Sequence, residues 1–321
     1  MNEFELIKHC FNWPQNNNDI ICAVGDDASI VQVPSGYELV QSIDTQVADV
    51  HFPASAPPQL IAQRALRCAI SDLAAMGAKP QAFHLALSLP KDTSQTWLES
   101  FSSGLRACAN EYSISLIGGD TTSCPSIVIT IQVQGLVPTG KALTRDKAQA
   151  TDNIWLTGNI GDAAGALPLI LNNPELSTDL AKAYYYPHAQ IQAGIALVGI
   201  ANSALDISDG LLQDASHIAK ASNCTLNILS DSIPLSPMLL EKYSHAQALK
   251  YALTGGDDYQ VLFTAPEKSD EQILSIAKSL STSFTKIGNV IPTSSTSITL
   301  DGIDTNNLYH DQGYQHFNDQ E

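Results

Sequence analysis

The sequence predicts an α+β protein of two domains, and three observations carry this prediction. The chain has 321 residues, which is long for one hydrophobic core. Each half mixes strand-like and helix-like segments without the regular β-α-β alternation of a doubly wound sheet. A polar segment from Arg145 to Asp152 interrupts the apolar pattern near the middle of the chain. We therefore expect domains at residues 1–145 and 146–321.

The clearest element of the first half is a helix from Pro57 to about Met76. Proline near its start and Gly77 after its end follow the usual asymmetry of helix boundaries. Hydrophobic periodicity and turn residues predict the other elements, including a hairpin of strands 29–33 and 37–43 around Pro34-Ser35-Gly36. In order, the first half is predicted to contain a helix at 4–11, strands at 20–24, 29–33 and 37–43, the helix at 57–76, a strand at 83–89, a helix at 94–112, and strands at 114–117 and 126–137.

The second half begins with a strand at 153–157 and a helix of small residues at 163–171. The same periodicity argument gives the elements that follow. They are helices at 175–185 and 189–201, a strand at 205–207, a helix at 211–221, strands at 225–229 and 259–264, a helix at 269–280 and a strand at 285–290.

The charge of the chain limits its partners. It has 33 acidic and 16 basic residues, which give a net charge of −17. Such a field repels nucleic acid and anionic membranes, so neither is an expected partner. The 6 cysteines have no C-x-x-C pair or zinc-like spacing, which indicates buried thiols in a reducing compartment. With no leader-like amino terminus and no long apolar run, the expected location is the cytoplasm.

Aspartates recur beside glycine or hydroxyl residues, mostly where an apolar run ends. In Gly118-Gly119-Asp120-Thr121-Thr122, glycine lets the backbone approach a ligand closely and Asp120 can bind a cation. One such motif is more often a turn than a ligand site, so the prediction depends on the recurrence. The other aspartates in this setting are Asp26, Asp27, Asp44, Asp72, Asp206, Asp209, Asp257 and Asp258.

Asp72 is the most informative of these acids because it lies on the apolar stripe of the predicted helix, with Ile61, Ala65 and Ala69. A buried carboxylate needs a cation or strong donors, although a salt-bridged structural aspartate is the alternative. Oxygen ligands without a histidine or cysteine cluster suit Mg²⁺, which is usually shared with substrate phosphates. If the acids converge, the sequence predicts a magnesium site for a nucleoside triphosphate.

The segment from Gly135 to Ala142 is close to a P-loop but departs from it at two positions. Ala142 lacks the hydroxyl that would bind magnesium, and Pro138 lacks a backbone donor. A nucleotide would therefore be bound by another kind of site.

Seven motifs, in their order along the chain, carry a resemblance to a known family. They are Gly25-Asp26-Asp27, Asp44-Thr45 with His51-Phe52, the segment from Ser71 to Ala78, Gly118 to Thr122, Leu143-Thr144-Arg145, Asp206 to Leu211, and Gly255 to Tyr259. Together they resemble the thiamine-monophosphate kinase family, from about residue 4 to the tail at 313–317. The resemblance implies the two-domain fold of aminoimidazole ribonucleotide synthetase, with an N-terminal mixed sheet and helices that form a barrel in a homodimer and a C-terminal α-β sandwich. It also implies transfer of the ATP γ-phosphate to thiamine monophosphate, which gives thiamine diphosphate.

The resemblance also implies a set of site residues. Several Mg²⁺ ions would be bound by Asp27, Ser42, Ile43, Asp44, Asp72, Asp120, Asp206 and Asp209. The implied nucleotide contacts are Gly119, Asp120, Arg145 and Ser208, and the implied substrate contacts are His51, Asp257 and Tyr314. The implied catalytic residues are Asp72, Asp120, Arg145 and Asp209. In-line transfer needs no strong base because the attacking phosphate oxygen is already ionised, while cations screen the two polyanions.

The chain departs from the family pattern at four places. Asp257 replaces a glutamate, Ser123 an arginine and Ile43 a threonine, and Pro187-His188-Ala189-Gln190 stands where the family has Pro-x-Pro-Arg. Two alternatives therefore stay open: another ATP-dependent synthetase of the same superfamily, and a non-catalytic relative that binds nucleotide and metal.

Overall fold

The computed structural model describes residues 9–14, 17–293, 297–301 and 303–304. Its first half contains the strands β1 (Ile20–Cys22), β2 (Ile30–Val31), β3 (Tyr37–Val47), β4 (Lys79–Leu89), β5 (Ser115–Ser123) and β6 (Val128–Pro138). The last four form a sheet in the order β3-β6-β4-β5, while β1 and β2 pair with each other. Only β4 and β5 are parallel neighbours in this four-stranded sheet. Strands β3 and β5 are therefore its two edges.

Helix α1 (Pro58–Ala75) is the centre of the first domain. It starts with a proline, and Gly77 follows its end with a φ of +67°. The helix is buried on nearly all sides because it packs on the four-stranded sheet, on α2 (Gln95–Glu111) and on the second domain. At this last contact a Cβ on Gly194 would lie 2.0 Å from the Ala74 carbonyl oxygen, so glycine is what permits the close approach.

The second half contains a seven-stranded sheet with the order β13-β12-β9-β11-β7-β10-β8. Its strands are β7 (Asp152–Thr157), β8 (Ser203–Asp206), β9 (Cys224–Ile228), β10 (Val261–Pro266), β11 (Phe284–Pro292), β12 (Ile298–Leu300) and β13 (Ile303–Asp304). Its helices are α3 (Asp162–Asn172), α4 (Asp179–Tyr185), α5 (Ile191–Leu197), α6 (Leu211–Ser222), α7 (Pro237–Lys242), α8 (His245–Thr254) and α9 (Asp270–Leu280).

Both faces of the seven-stranded sheet are buried. On β7, Ile154 and Leu156 belong to one apolar cluster, whereas Trp155 between them belongs to the other. Because successive strand residues face opposite sides, helices must cover both faces, which is the predicted α-β sandwich. The cluster around Trp155 continues through α1 into the first domain. None of the described helices is long and apolar enough to cross a bilayer.

Most predicted elements are present close to their predicted bounds, but the predicted hairpin is wrong. Strand β2 pairs with β1, whereas β3 pairs with β6 along its whole length. A turn signal fixes where the chain reverses, but burial of a whole face decides which strands pair. The strand predicted at 114–117 continues through two glycines to Ser123. The pattern does not predict α7, α8, β12 or β13, and residues 4–8 of the predicted first helix lie outside the described residues.

Candidate active site

Three aspartates from the two domains meet where β3, the end of α1 and the end of β8 come together. Asp72 Oδ2 accepts a hydrogen bond from Ser42 Oγ, two residues before Asp44 on β3. Ser71 Oγ donates to Asp206 Oδ2 at 2.7 Å, so the acid of the second domain is bound to the helix of the first. The charges of Asp44, Asp72 and Asp206 act on one another. The structure therefore brings these three of the predicted site residues together.

Burial raises the pKa of all three carboxyl groups, and repulsion by neighbouring aspartates adds to the rise at Asp44 and Asp206. Burial, followed by the charge of Asp72, raises the pKa of Asp44 to about 7. The same two causes, in the same order, raise the pKa of Asp206 to about 8. Burial also raises the pKa of Asp72, although the Ser42 hydroxyl and the Arg145 charge act in the opposite direction. Three acids that resist ionisation together are the surroundings in which a divalent cation stabilises the charged forms.

A second group of possible ligands lies on the loop after β8 and on α6. Asp209, Asp214 and His217 place one ligand atom each within 4.8 Å of one another. Asp214 Oδ2 accepts the backbone N–H groups of residues 208, 209 and 210 at 3.0, 3.0 and 3.1 Å. Burial, followed by the charge of Asp209, raises the pKa of Asp214 to about 7. Asp214 thus fixes the backbone of the loop that carries Asp209.

Arg145 is an exposed residue that lies close to both groups of acids. Its charge opposes the rise in the pKa of Asp72 and contributes to lowering the pKa of His217, after burial of that ring. Its carbonyl oxygen accepts a hydrogen bond from Ser222 Oγ at 2.8 Å, which holds the segment on α6. A guanidinium at this place can bind an anion that reaches from one group of acids to the other.

Two of the three predicted substrate contacts, His51 and Asp257, are connected across the domains by a hydrogen-bond network. Arg64 donates from Nη2 to Asp257 Oδ1 at 2.6 Å and from Nη1 to the Tyr184 carbonyl at 2.9 Å. Tyr184 Oη donates to the His51 carbonyl oxygen at 2.6 Å. His51 Nδ1 accepts the Val47 N–H at 3.0 Å, so the neutral ring carries its proton on Nε2, as a donor.

Gly119 and Asp120 lie on β5, at the edge of the four-stranded sheet opposite β3. The register places Asp120 in line with Ala86 on β4 and with Thr45 on β3. Three strand spacings separate Asp120 from Thr45, or about 14 Å between backbones. A Cβ on Gly119 would lie 1.9 Å from the Leu85 carbonyl oxygen. Asp120 is exposed, and within one chain it lies apart from the three acids that meet at the domain junction.

The remaining predicted site residues have different surroundings. Asp27 is exposed between β1 and β2, and its N–H donates to Asp26 Oδ1 at 2.8 Å. Ile43 has 65% of its surface exposed on β3. The Ser208 carbonyl accepts the Asp257 N–H at 2.9 Å. Tyr314 lies outside the described residues.

Five residues of the site carry no prediction from the sequence: Arg64, Ser71, Tyr184, Asp214 and His217. A charged residue inside an apolar helix could have indicated Arg64, and an acid in the first turn of a predicted helix could have indicated Asp214. Tyr184 carries no such signal, because its partners Arg64 and His51 are 120 and 133 residues away in the sequence.

Comparison with known proteins places this geometry in a family. The model of the AIR synthase related protein, N-terminal domain, matches residues 25–137, and that of the C-terminal domain matches residues 149–301. The thiamine-monophosphate kinase of Haemophilus influenzae is 38% identical over 295 residues, which cover 90% of this chain and 89% of the relative. The chain belongs to the thiamine-monophosphate kinase family.

Solved structures extend the similarity to the whole fold. The crystal structure of thiamine-monophosphate kinase from Stenotrophomonas maltophilia K279a is 38% identical and has a TM-score of 0.87, covering 94% of this chain and 98% of that one. A structure of AaThiL complexed with AMPPCP and TMP is 29% identical with a TM-score of 0.79, covering 98% and 96%. The family's two-domain α+β fold, predicted from the motifs, is confirmed.

Proposed function

We propose that the chain transfers the γ-phosphate of ATP to thiamine monophosphate and so forms thiamine diphosphate. The observation that carries this proposal is the meeting of Asp44 and Asp72 of the first domain with Asp206 of the second, in a chain that is 38% identical to a thiamine-monophosphate kinase along nine-tenths of its length. Acids of two domains enclose a place where two phosphorylated molecules can be brought together.

The donor set at the domain junction fits magnesium. Asp44, Asp72 and Asp206 offer only hard oxygen ligands, and burial raises the pKa of each, so a cation would stabilise their charged forms. Asp209 would hold a further ion from the second group, and Ser42 and the Ile43 carbonyl would add ligands beside Asp44. Asp27 is proposed as a further magnesium ligand, as is Asp120, which lies apart from the three acids within one chain. When bound, Mg²⁺ neutralises phosphate charge and orients the donor and the acceptor.

The side chains of the chain itself bind and orient the two substrates. Arg145, beside both groups of acids, would bind the transferring phosphate, and Gly119, Asp120 and Ser208 would contact the nucleotide. His51 Nε2 is a donor and Asp257 an acceptor for the thiamine monophosphate, with Tyr314 as a further contact. A phosphate oxygen is ionised at neutral pH, so positioning and charge stabilisation suffice without a general base.

The proposal includes the assembly, the domain boundary and the location of the protein. A homodimer through the first domain is supported by the open edge of β3, which carries the exposed side chains of Tyr37 and Ile43, and by the exposed side chains of Ile21 on β1 and Ile30 on β2. A boundary after Arg145 is supported because the Leu143 N–H donates to the carbonyl of Met76, directly after α1, whereas the Ala148 N–H donates to Ser222 of α6. The cysteines, all free, agree with a cytoplasmic location.

Turnover tests the proposal directly. Purified protein with Mg²⁺, ATP and thiamine monophosphate should form thiamine diphosphate, detected by fluorescence after oxidation. Asp72→Asn should remain folded and lose at least about 100-fold in turnover, since one charged ligand is removed from a site that depends on charge. Asp92→Asn, an exposed loop aspartate, is the matched control and should keep full activity. Intact ATP binding without product would instead indicate a non-catalytic relative.

A further inference from the structure

Arg64 is a buried cation at the junction of the two domains. Only 2% of its surface is exposed. Burial lowers its pKa, but the charges around it, first that of Asp257, outweigh burial and raise the pKa well above its ordinary value. Removing an arginine from water is costly, so the contacts of its guanidinium must compensate for the lost hydration. Each of those contacts leads towards a residue of the proposed acceptor pocket.

One guanidinium holds both sides of that pocket. Nη2 binds Asp257 of the second domain at 2.6 Å, and Nη1 binds the Tyr184 carbonyl at 2.9 Å. The same guanidinium lies 3.9 Å above the centre of the Tyr184 ring, where cation–π attraction fixes its plane. Because Tyr184 Oη binds the His51 carbonyl at 2.6 Å, the position of His51 also depends on Arg64.

The backbone conformation around Asp257 gives independent evidence that the position of this carboxylate is fixed. Asp257 has a φ of +72° and Tyr259 a φ of +52°, in a left-handed region that residues other than glycine rarely adopt. The Asp257 N–H is fixed by the Ser208 carbonyl at 2.9 Å, and Tyr259 Oη adds a 3.3 Å bond to Asp257 Oδ1. Arg64 and Tyr259 therefore hold one carboxylate oxygen, while 30% of the side chain stays exposed for a donor group of a ligand.

We propose that Arg64 is a positioning residue that sets Asp257 and His51 at the correct separation for the acceptor substrate. The inference rests on the proposed function and names a residue of its acceptor pocket. The substrate is a heteroaromatic cation with an exocyclic amine, and a partly exposed carboxylate suits both of these groups. Loss of Arg64 leaves the magnesium ligands in place but lets Asp257 and the His51 loop move independently.

Arg67, one turn further along α1, offers a matched control. It is also buried, with 5% of its surface exposed, and it also pairs with an acid and lies over a tyrosine ring. Its hydrogen-bond partners are Glu111, Tyr112 and Gln63, and it also lies 5.6 Å from the centre of the Tyr186 ring; none of these residues belongs to the proposed site. Replacement of either arginine removes a buried guanidinium and its ion pair from the same helix. A difference in activity between the two variants therefore reflects the acceptor pocket and not a general effect on the helix.

The experiment compares Arg64→Gln, Arg64→Lys and Tyr184→Phe with Arg67→Gln in the full-length protein. For each variant, KM for thiamine monophosphate, KM for ATP, kcat and Tm are measured. Arg64→Gln should raise KM for thiamine monophosphate about tenfold or more through loss of a charge-assisted bond, with KM for ATP within about twofold. Arg64→Lys should recover part of this loss because it keeps the charge. Arg67→Gln should lower Tm but leave both KM values unchanged.

Equal KM values for thiamine monophosphate in Arg64→Gln and Arg67→Gln would overturn the inference and assign Arg64 a purely structural role. If Arg64→Gln does not fold, Arg64→Lys and Tyr184→Phe are used instead, and Tyr184→Phe removes only the hydrogen bond to His51. A rise in KM for thiamine monophosphate in these variants supports the inference, and unchanged values overturn it. If the proposed function is wrong, the result is different, because the unmodified protein then forms no thiamine diphosphate. That outcome overturns the inference as well.

Discussion

Asp44→Asn should change stability in opposite directions without and with magnesium. The folded chain gives Asp44 a pKa of about 7 against an ordinary 3.8. The folded state therefore binds this proton more tightly than the unfolded state, and stability falls as pH rises from about 4 to about 7, then levels. At pH 8 the lost stability is about 4 kcal/mol. The neutral asparagine removes this cost.

The assay is thermal unfolding at pH 8 in EDTA and in millimolar MgCl₂. Burial of the new amide costs about 1–2 kcal/mol, so the net gain of about 2–3 kcal/mol should raise Tm in EDTA by roughly 3–5 °C for a chain of 321 residues. The unmodified protein should gain stability on addition of magnesium, because the ion binds only the folded site. Asp44→Asn should gain much less, since an amide is a poorer ligand than a carboxylate. Asp92→Asn should follow the unmodified protein in both buffers.

The test is discriminating because the effect of Asp44→Asn on stability should differ in sign between EDTA and magnesium. An aspartate with a purely structural role would lower Tm on replacement in both buffers alike. A metal ligand in a cluster of like charges lowers stability without metal and raises it with metal. A lower Tm for Asp44→Asn in EDTA at pH 8, or an unmodified Tm that magnesium leaves unchanged, would refute this account of the cluster.

Two further substitutions probe how the site is built. Asp214→Ala leaves three backbone N–H groups of the 208–210 loop without their acceptor. Chemical denaturation should show that the free energy of unfolding falls by about 2–4 kcal/mol. Turnover should fall at least tenfold, while KM for thiamine monophosphate changes little. Gly119→Ala places a methyl group 1.9 Å from the Leu85 carbonyl; the displaced edge of β5 should lower Tm and raise KM for ATP, and an unchanged KM would argue against a nucleotide contact at this strand.

The sequence predicted the parts of the fold that depend on local chemistry. Pro58 and Gly77 mark the ends of α1 because each fits one backbone conformation. The observed bounds of the helix lie within two residues of the predicted ones. The partner of β3 could not be predicted in this way, because Pro34-Ser35-Gly36 reverses the chain whichever strand lies alongside. Pairing was decided by β6, far away in the sequence.

In the candidate site too, residues with a local sequence signal could be predicted, whereas contacts between distant residues could not. Acids beside glycines and hydroxyls can be recognised one by one, and Asp72 on an apolar stripe indicated that at least one of them is buried. Arg64 could not be connected to Asp257 from the sequence, since 193 residues separate them and the contact exists only when the domains pack. Groups whose role is to fix another side chain carry no motif, because any donor of the right reach would serve.

The pKa values near 7 and 8 at Asp44 and Asp206 could suggest general bases, but the arrangement favours ligands instead. A catalytic base needs one carboxyl group with a raised pKa near the proton that it removes. Here burial and neighbouring aspartates raise the pKa values of Asp44 and Asp206, and the attacking phosphate carries no proton to remove at neutral pH. A nearby cation would lower these pKa values and return the acids to their charged forms. The repulsion among these acids is therefore the property that would favour a divalent ion under the proposed function, and with it the phosphates that such an ion binds.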